Sequence, residues 1–387
     1  MAEYIFEDIG VFPKYEEDKD KYVVFACAKN EGEYIREWVE YYLGIGFDKV
    51  FIADNNDVDD ISLYEAIQDY IDYGQVQVFD CRGKDSIQVL MYSKFCEIGN
   101  YRWCAYFDCD EFFEMSVYRN IKEFLAPMEE YDCVSFNWLL FGPNGNMYKQ
   151  PGGVRERFPV PLSPVLYVKE NVFMKSIVKG GEGRFPGCWF NGSHIPTTSE
   201  RADIKYSVGG YNEPYEQNTI HAHYPPSYKF GYIRHYYTKS FEEWKQKAGR
   251  GWPDTTKSLD VARYSLFNES YAVPVDNFLT GLFADTHGTG REWANILDAY
   301  SVVKLTNNGN FVYPFFMSTI SLMSYTKDHT FVMTDEHVDD SMYAIFLEYA
   351  LRTGNRLCFA RNDDEVWYTF LNFRNKGEET YYIIGYS

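Results

Sequence analysis

The sequence predicts an α/β fold with a mainly parallel central sheet and a small α/β or α+β appendage at its C-terminal end. Three observations predict it. Short, nearly continuous apolar runs recur at 21–27, 49–53, 76–79 and 103–107, as expected of strands covered on both faces. The intervals between them carry apolar residues at helical spacing, so strand and helix alternate at the pitch of βαβ units. Polar and acidic residues follow directly after the runs, at the rim where open α/β sheets take their ligands.

Residues 1–20 are a polar, acidic lead-in. The first strand, Lys21 to Cys27, ends at Lys29-Asn30-Glu31-Gly32-Glu33. Tyr34, Ile35, Trp38, Tyr41, Tyr42 and Ile45 then recur at helical spacing, and Gly44 and Gly46 end that helix. The second strand, Lys49 to Ala53, leads into Asp54-Asn55-Asn56, and the next helix runs from Leu63 to Ile71 and stops at Gly74. Val76 to Phe79 is the third strand, followed by Arg82. Ser86 to Ile98 reads as a helix and Trp103 to Phe107 as the fourth strand.

That strand runs into Asp108-Cys109-Asp110-Glu111, the stretch around which the chain is organised. Two positions apart on an extended chain, Asp108 and Asp110 point to one side. Two hard oxygen ligands on one side suit Mn²⁺ or Mg²⁺ carrying a diphosphate. A solvated acidic turn would account for the charges, but not for the buried strand that leads into them. With Asn30-Glu31, Asp54-Asn55, Arg82 and Asp108-Asp110 each ending a parallel strand, one rim offers polar groups for a base and ribose, then a cation, then a metal site. No G-x-G-x-x-G follows the first strand and no G-x-x-x-x-G-K-[ST] is present, which disfavours a dinucleotide fold and a P-loop nucleotidase.

Beyond the acidic motif, Asp132 to Trp138 and Val172 to Val178 read as strands, and 151–165 as a Pro- and Gly-rich loop. Residues 180–235 hold His194, His221, His223 and His235, with Pro225-Pro226 marking loop. Thr238 to Arg250 reads as a helix capped by Ser240, with Glu243 three residues on. Near the C-terminus, Tyr313–Tyr325, Thr330–Thr334, Met342–Leu351, Val366–Phe370 and Tyr381–Ile384 read as strand, strand, helix, strand and strand.

The chain has 387 residues, 45% of them hydrophobic, enough for one large α/β domain with an addition. The divisions expected are a lead-in at 1–20, a main domain at 21–290 and an appended domain at 291–387. A net charge of −20 repels nucleic acid and anionic membrane as general partners. The same field opposes an anionic sugar nucleotide, so its site needs a metal or a local Lys/Arg cluster. Eight cysteines without a C-x-x-C read as reduced, mostly buried thiols of a cytoplasmic protein. No apolar run reaches the roughly 18–20 residues of a membrane span, and the N-terminus lacks a signal-peptide core. Association with the inner face of the membrane and the oligomeric state are left open.

Five stretches in this order resemble a known family: Ala26-Cys-Ala-Lys-Asn30-Glu31 with Glu37-Trp38; Ile52-Ala-Asp54-Asn55-Asn56; Tyr106-Phe-Asp108-Cys-Asp110-Glu111-Phe112; Trp138-Leu-Leu-Phe141-Gly142; and His235-Tyr-Tyr-Thr238-Lys239-Ser240 with Arg250-Gly251. They are similar to the family 92 glycosyltransferases and the related bacterial family-2-like branch. The resemblance implies a GT-A (Rossmann-like) fold, a UDP-sugar donor with galactose favoured, Mn²⁺ or Mg²⁺, transfer with inversion, and a glycan or glycolipid acceptor in surface or capsular polysaccharide synthesis. Carried over by position, Asp108 and Asp110 match the metal-binding acidic motif, Asn30, Glu31 and Asp54 the nucleotide-contacting strand ends, and His235 the late histidine. His194 competes with His235 as third ligand.

A metal there would stabilise charge growing on the leaving diphosphate. Lys239, Arg250 or Arg82 would add positive charge. Inversion needs a carboxylate base, for which Glu111, Glu114, Glu182, Glu213 and Glu216 are candidates. Trp138 and Trp189 are candidate sugar-stacking faces. A nucleotidyltransferase, or a glycan-binding or scaffold protein without catalysis, are the alternatives.

Overall fold

The computed structural model describes residues 19–162, 169–181, 183–209, 213–215, 221–250, 302–307, 319–320, 323–324, 326–334, 340–362, 365–366, 369 and 381–386. Four parallel strands open the chain: β1 (Tyr22–Ala28), β2 (Lys49–Asp54), β3 (Val76–Asp80) and β4 (Trp103–Tyr106). They are followed by β5 (Glu111–Met115), β6 (Cys133–Leu140), β7 (Met174–Lys179), β8 (Trp189–Asn191), β9 (Ile195–Thr197), β10 (Tyr206–Val208), β11 (Glu213–Tyr215) and β12 (Gly231–His235). The main sheet runs β3-β2-β1-β4-β7-β6-β10-β11, with β12 pairing to both β5 and β6. The predicted α/β fold with a mainly parallel central sheet is present. Its one break among the central strands is β7, antiparallel to β4 and β6.

The strands are apolar throughout because both faces are covered. Along β1, Val24, Ala26 and Ala28 join the core under helices Ile35–Gly44 and Ser62–Asp72, while Val23 and Phe25 join the core under helix Gln88–Ile98. The period of two therefore splits one apolar run between two cores. Parallel pairing then brings the ends of β1 to β4 to one rim, as expected for Asn30-Glu31, Asp54-Asn55, Arg82 and Asp108.

A second sheet is all parallel: β13 (Val302–Asn307), β14 (Thr330–Met333), β15 (Arg356–Phe359) and β16 (Tyr381–Tyr386), in the order β13-β16-β14-β15. Helix Asp340–Arg352 links β14 to β15. Ser116 Oγ accepts from Phe359 N at 2.6 Å, and Ser227 Oγ donates to Asp340 at 3.2 Å, so the two sheets are joined by direct bonds.

Two expected strands are corrected. Within Tyr313–Tyr325 the described residues Thr319, Ile320, Met323 and Ser324 are helical, with Ser324 Oγ bonded back to Ile320 O at 2.9 Å. Within Val366–Phe370, Val366 and Thr369 are helical, because Asn362 and Glu365 build a start signal. Asn362 Oδ1 accepts from Glu365 N at 3.0 Å, and Glu365 Oε2 accepts from Arg361 N at 2.7 Å. The lead-in apart from residues 19 and 20, the boundary at 290–291, Glu182 and Glu216 lie outside the described residues.

Candidate functional site

The acidic motif is a turn. Glu111 N donates to Asp108 O at 3.0 Å, so the chain reverses at Cys109-Asp110 and enters β5. Helix Ile35–Gly44 clamps it: Trp38 Nε1 donates to Asp108 O (3.0 Å) and Glu111 O (3.1 Å), and Tyr42 OH to Glu111 O (3.0 Å). Tyr236 N donates to Asp110 O at 2.9 Å, which fixes the end of β12 beside the turn. The premise of an extended chain is therefore corrected, and the two carboxylates engage separate partners.

Asp108, partly exposed, engages helix Gln88–Ile98 and β7. Its Oδ1 accepts from Gln88 Nε2 (2.6 Å) and Tyr92 OH (3.2 Å), and its Oδ2 lies 2.9 Å from Lys175 Nζ. Lys175, on β7, is 1% exposed, also donates to Ser193 O (3.0 Å) and stands 3.8 Å from Glu111. Burial pushes the Glu111 carboxyl well above its usual range, against the pull of Lys175 and with the help of Asp108. Glu111 Oε2 accepts from Asp108 N at 2.8 Å, so this residue braces the turn from a fully buried position.

Asp110 engages a different lysine. Lys247 Nζ lies 2.7 Å from its Oδ2 and His235 Nε2 3.4 Å from its Oδ1. Burial alone would raise this carboxyl, but Lys247 and His235 outweigh it and hold it well below the usual range. Burial pushes the His235 imidazole down, against the pull of Asp110. Trp138 separates the two competing histidines, with ring centroids 4.3 Å from His235 and 5.1 Å from His194. His194 Nδ1 pairs with Met174 O at 2.6 Å, and its ring stacks on Phe173 and His221. It takes no part in the Asp110 group.

The residues present do not fit a resident metal ion. Among the described residues no three His, Cys, Asp or Glu groups come together to hold one. Asp108, Asp110 and His235, expected to share an ion, do not close around one point: Asp108 faces Lys175, while Asp110 faces Lys247 and His235.

A cavity of about 110 Å³ opens beside Asp110, lined by Asn30, Glu31, Tyr34, Thr238, Lys239 and Lys247 among others. Lys239 is held in the left-handed region (φ 54°), where a lysine is strained. Its Nζ lies 3.6 Å from Glu31 Oε2 and 4.1 Å from the centre of the Tyr34 ring. The expected capping box forms: Ser240 N donates to Glu243 Oε2 (3.0 Å), and Glu243 N to Ser240 Oγ (3.4 Å). Glu243 also takes a forked bond from Arg157 (3.0 and 2.9 Å) and one from Tyr34 OH (2.5 Å). Burial raises its carboxyl, but these donors prevail and bring it down to about 2.

At the neighbouring strand ends, Asp54 Oδ1 accepts from Asn56 N (3.1 Å), and burial pushes its carboxyl up to about 6. Asn56 Oδ1 accepts from Asn30 N at 2.6 Å. Arg82 forks onto Asp80 (2.9 and 2.8 Å), stands 3.9 Å from Asp54, and shares an open groove with Tyr64.

The structure thus brings Asn30, Glu31 and Lys239 to one cavity and sets Asp110 and His235 beside it through Lys247. Asp108 and Glu111 lie behind the turn, and Asp54 and Arg82 lie at the next strand ends. Glu114 faces elsewhere, 2.9 Å from Arg234. The side chains of Glu213 and Arg250 lie outside the described residues. Trp138 is core, whereas Trp189 is 57% exposed. Sequence reasoning missed Lys175 and Lys247. The available signal for the first was a lone lysine inside the apolar stretch Met174 to Val178, a charge that burial obliges to find a partner. For the second it was helical spacing, four residues after Glu243 on one face.

No family model and no curated protein matches the chain, so the resemblance to family 92 rests on the stretches quoted for it. Two solved structures of S. aureus TarS 1–349 align with it at 10% identity, covering 92% of this chain and 91% of that chain. The TM-score is 0.28 for one and 0.31 for the other, a complex with UDP. No described helix is long and apolar enough to cross a membrane.

Proposed function

We propose that this rim binds a nucleoside-diphosphate sugar and transfers the sugar to a hydroxyl of a glycan or glycolipid acceptor, with inversion. The observation that carries the reading is the cavity at the carboxyl ends of β1 and β12, where Lys239 and Lys247 meet and Lys247 reaches Asp110. Ligands of α/β sheets sit at such a rim, and an anionic donor needs local cations in a chain of net charge −20.

In this reading the base and ribose lie over Asp54 and the Tyr64–Arg82 groove, the diphosphate lies against Lys239 and Lys247, and the sugar points toward His235. The acceptor oxygen forms a bond to the anomeric carbon as the bond to the phosphate oxygen breaks. The electron pair leaves with the diphosphate, and the acceptor proton passes to a carboxylate base. UDP is the first nucleotide to test and UDP-galactose the first donor, because the sequence resemblance favours both. A role in surface or capsular polysaccharide synthesis belongs to the same reading.

The test is thermal stability of the full chain against a panel of nucleotides and nucleotide sugars. A ligand that binds only the folded state raises stability by mass action, about 2.7 kcal/mol at a hundredfold excess over Kd. A rise with UDP or UDP-galactose, together with slow release of UDP from the donor, is the expected result. A protein that bound no nucleotide but did bind glycans would be a lectin or scaffold, and the proposal would be lost.

A further inference from the structure

We infer that the diphosphate of the donor is held by the ammonium groups of Lys239 and Lys247 rather than through a divalent metal ion, and that Asp110 positions Lys247 instead of ligating metal. The inference rests on the reading of the rim as a nucleoside-diphosphate site.

Hydrogen-bond bookkeeping supports it first. An ammonium group has three donors. Lys247 spends one on Asp110 (2.7 Å) and one on Tyr237 O (3.0 Å), which leaves a third for the cavity that it lines. Lys239 makes no hydrogen bond through Nζ among the described residues. Its partners are the Tyr34 ring face and Glu31 at 3.6 Å, beyond hydrogen-bond length. Two cations thus reach one cavity of about 110 Å³ with donors to spare.

Charge is the second support. Asp108, Asp110 and Glu31 each face one lysine: Lys175, Lys247 and Lys239. Carboxylates already paired with ammonium groups present less unpaired negative charge to draw a divalent ion out of water. His235 adds none. A diphosphate entering the cavity meets Lys239 and Lys247 directly.

Backbone strain is the third. Lys239 occupies the left-handed region, which glycine would adopt without strain. The conformation directs a long cationic side chain into the cavity, a reason to keep a lysine where the backbone disfavours it.

The experiment is calorimetric titration of UDP, and separately of inorganic pyrophosphate, into the full chain with EDTA and then with Mn²⁺. Affinity for UDP is expected to be the same in both. Lys247→Met should weaken it by ~10- to 100-fold, the loss of a hydrogen bond to a charged group. Lys247→Arg, which keeps charge and donors, should recover most of it. Asp110→Asn, which can still accept from Lys247, should bind UDP in EDTA more tightly than Asp110→Ala. Circular dichroism checks that each variant is folded. UDP binding that EDTA abolishes and Mn²⁺ restores would overturn the inference and leave the donor reading intact. A folded Lys247→Met with unchanged affinity would overturn it too. If neither UDP nor any other nucleoside diphosphate binds under either condition, the donor reading fails and this inference with it.

Discussion

The ends of β1 to β3 and the corner where the turn between β4 and β5 meets the end of β12 share one rim, yet they use polar residues differently. At the first, Asp54, Asn55, Asn56 and Arg82 bond to loop backbone or to close neighbours: Asn56 N, Lys84 O, Asn30 N and Asp80. None of these partners is more than 29 positions away. At the second, Asp108 faces Lys175 and Asp110 faces Lys247, 137 positions on. Polar groups consumed by adjoining loops set the shape of the rim. Charges paired across distant elements can be re-partnered by an incoming ligand. In the proposed function the chemistry concentrates at the corner, while the strand ends frame it.

Lys175→Met should break this contrast most strongly. It removes a buried cation that faces the partly exposed Asp108 and the buried Glu111, for which a loss at or somewhat below the ~3–5 kcal/mol of a fully buried pair is expected. Arg82→Ala, at the framing end, removes a partly exposed fork onto Asp80 and should cost only ~0.2–1 kcal/mol. Urea unfolding of both variants decides it: equal losses would mean the two regions are built alike.

Asp110→Ala follows in size. Removing the group that orients Lys247 should lower turnover by roughly 100- to 1,000-fold, the range for losing one stabilising group at developing charge. The protein should stay folded, since Lys247 is partly exposed and keeps its bond to Tyr237 O. Turnover at the wild-type rate would leave Asp110 a buried partner of Lys247 with no part in turnover.

A smaller effect should appear in acid. Glu243 joins Tyr34, Arg157 and Ser240, and its carboxyl titrates at about 2 in the folded state against 4.5 otherwise. A depressed carboxyl stabilises fully above the unfolded value, and that contribution is lost as pH falls from about 4.5 to about 2. Glu243→Gln should be less stable at neutral pH and should lose less on acidification across that window. Melting curves at several pH values that stay parallel for the two proteins would remove Glu243 from the account.

The same contrast governs what the sequence discloses. β1 to β4 announce themselves locally, because burial on both faces makes each an apolar run and a helix follows at once. The rim follows from parallel pairing, so Asn30, Glu31, Asp54, Arg82 and Asp108 could be named in advance. The β5–β12 ribbon could not. Glu111-Phe112-Phe113-Glu114 carries a charge at each end, and its partner Gly231–His235 lies more than a hundred positions away. The turn at Cys109-Asp110 was hidden for a related reason, since it is closed by Trp38 and Tyr236 from other elements. Lys175 showed that it must have a partner without showing which. Short apolar runs such as Val366 to Phe370 carry no period long enough to separate strand from helix.

Lys239 offers the finest test, because its fold energetics and its proposed chemistry pull in opposite directions. Lys239→Ala keeps the left-handed backbone at φ 54° and loses the contact with the Tyr34 ring. Lys239→Gly loses the same contact but relieves a conformation that costs about 1–2 kcal/mol in a residue with a Cβ. The cation–π contact contributes ~0.5–2 kcal/mol, so the glycine variant should lie within about 1 kcal/mol of the wild type. The alanine variant should fall below it. UDP affinity should drop equally in both, since each removes the ammonium group. Equal stability of the two variants would mean that the backbone relaxes around Lys239 at no cost. An undiminished affinity would mean that the strain is unrelated to the ligand. The expected pattern, stability that separates the variants and affinity that does not, would mark Lys239 as kept for what enters the cavity.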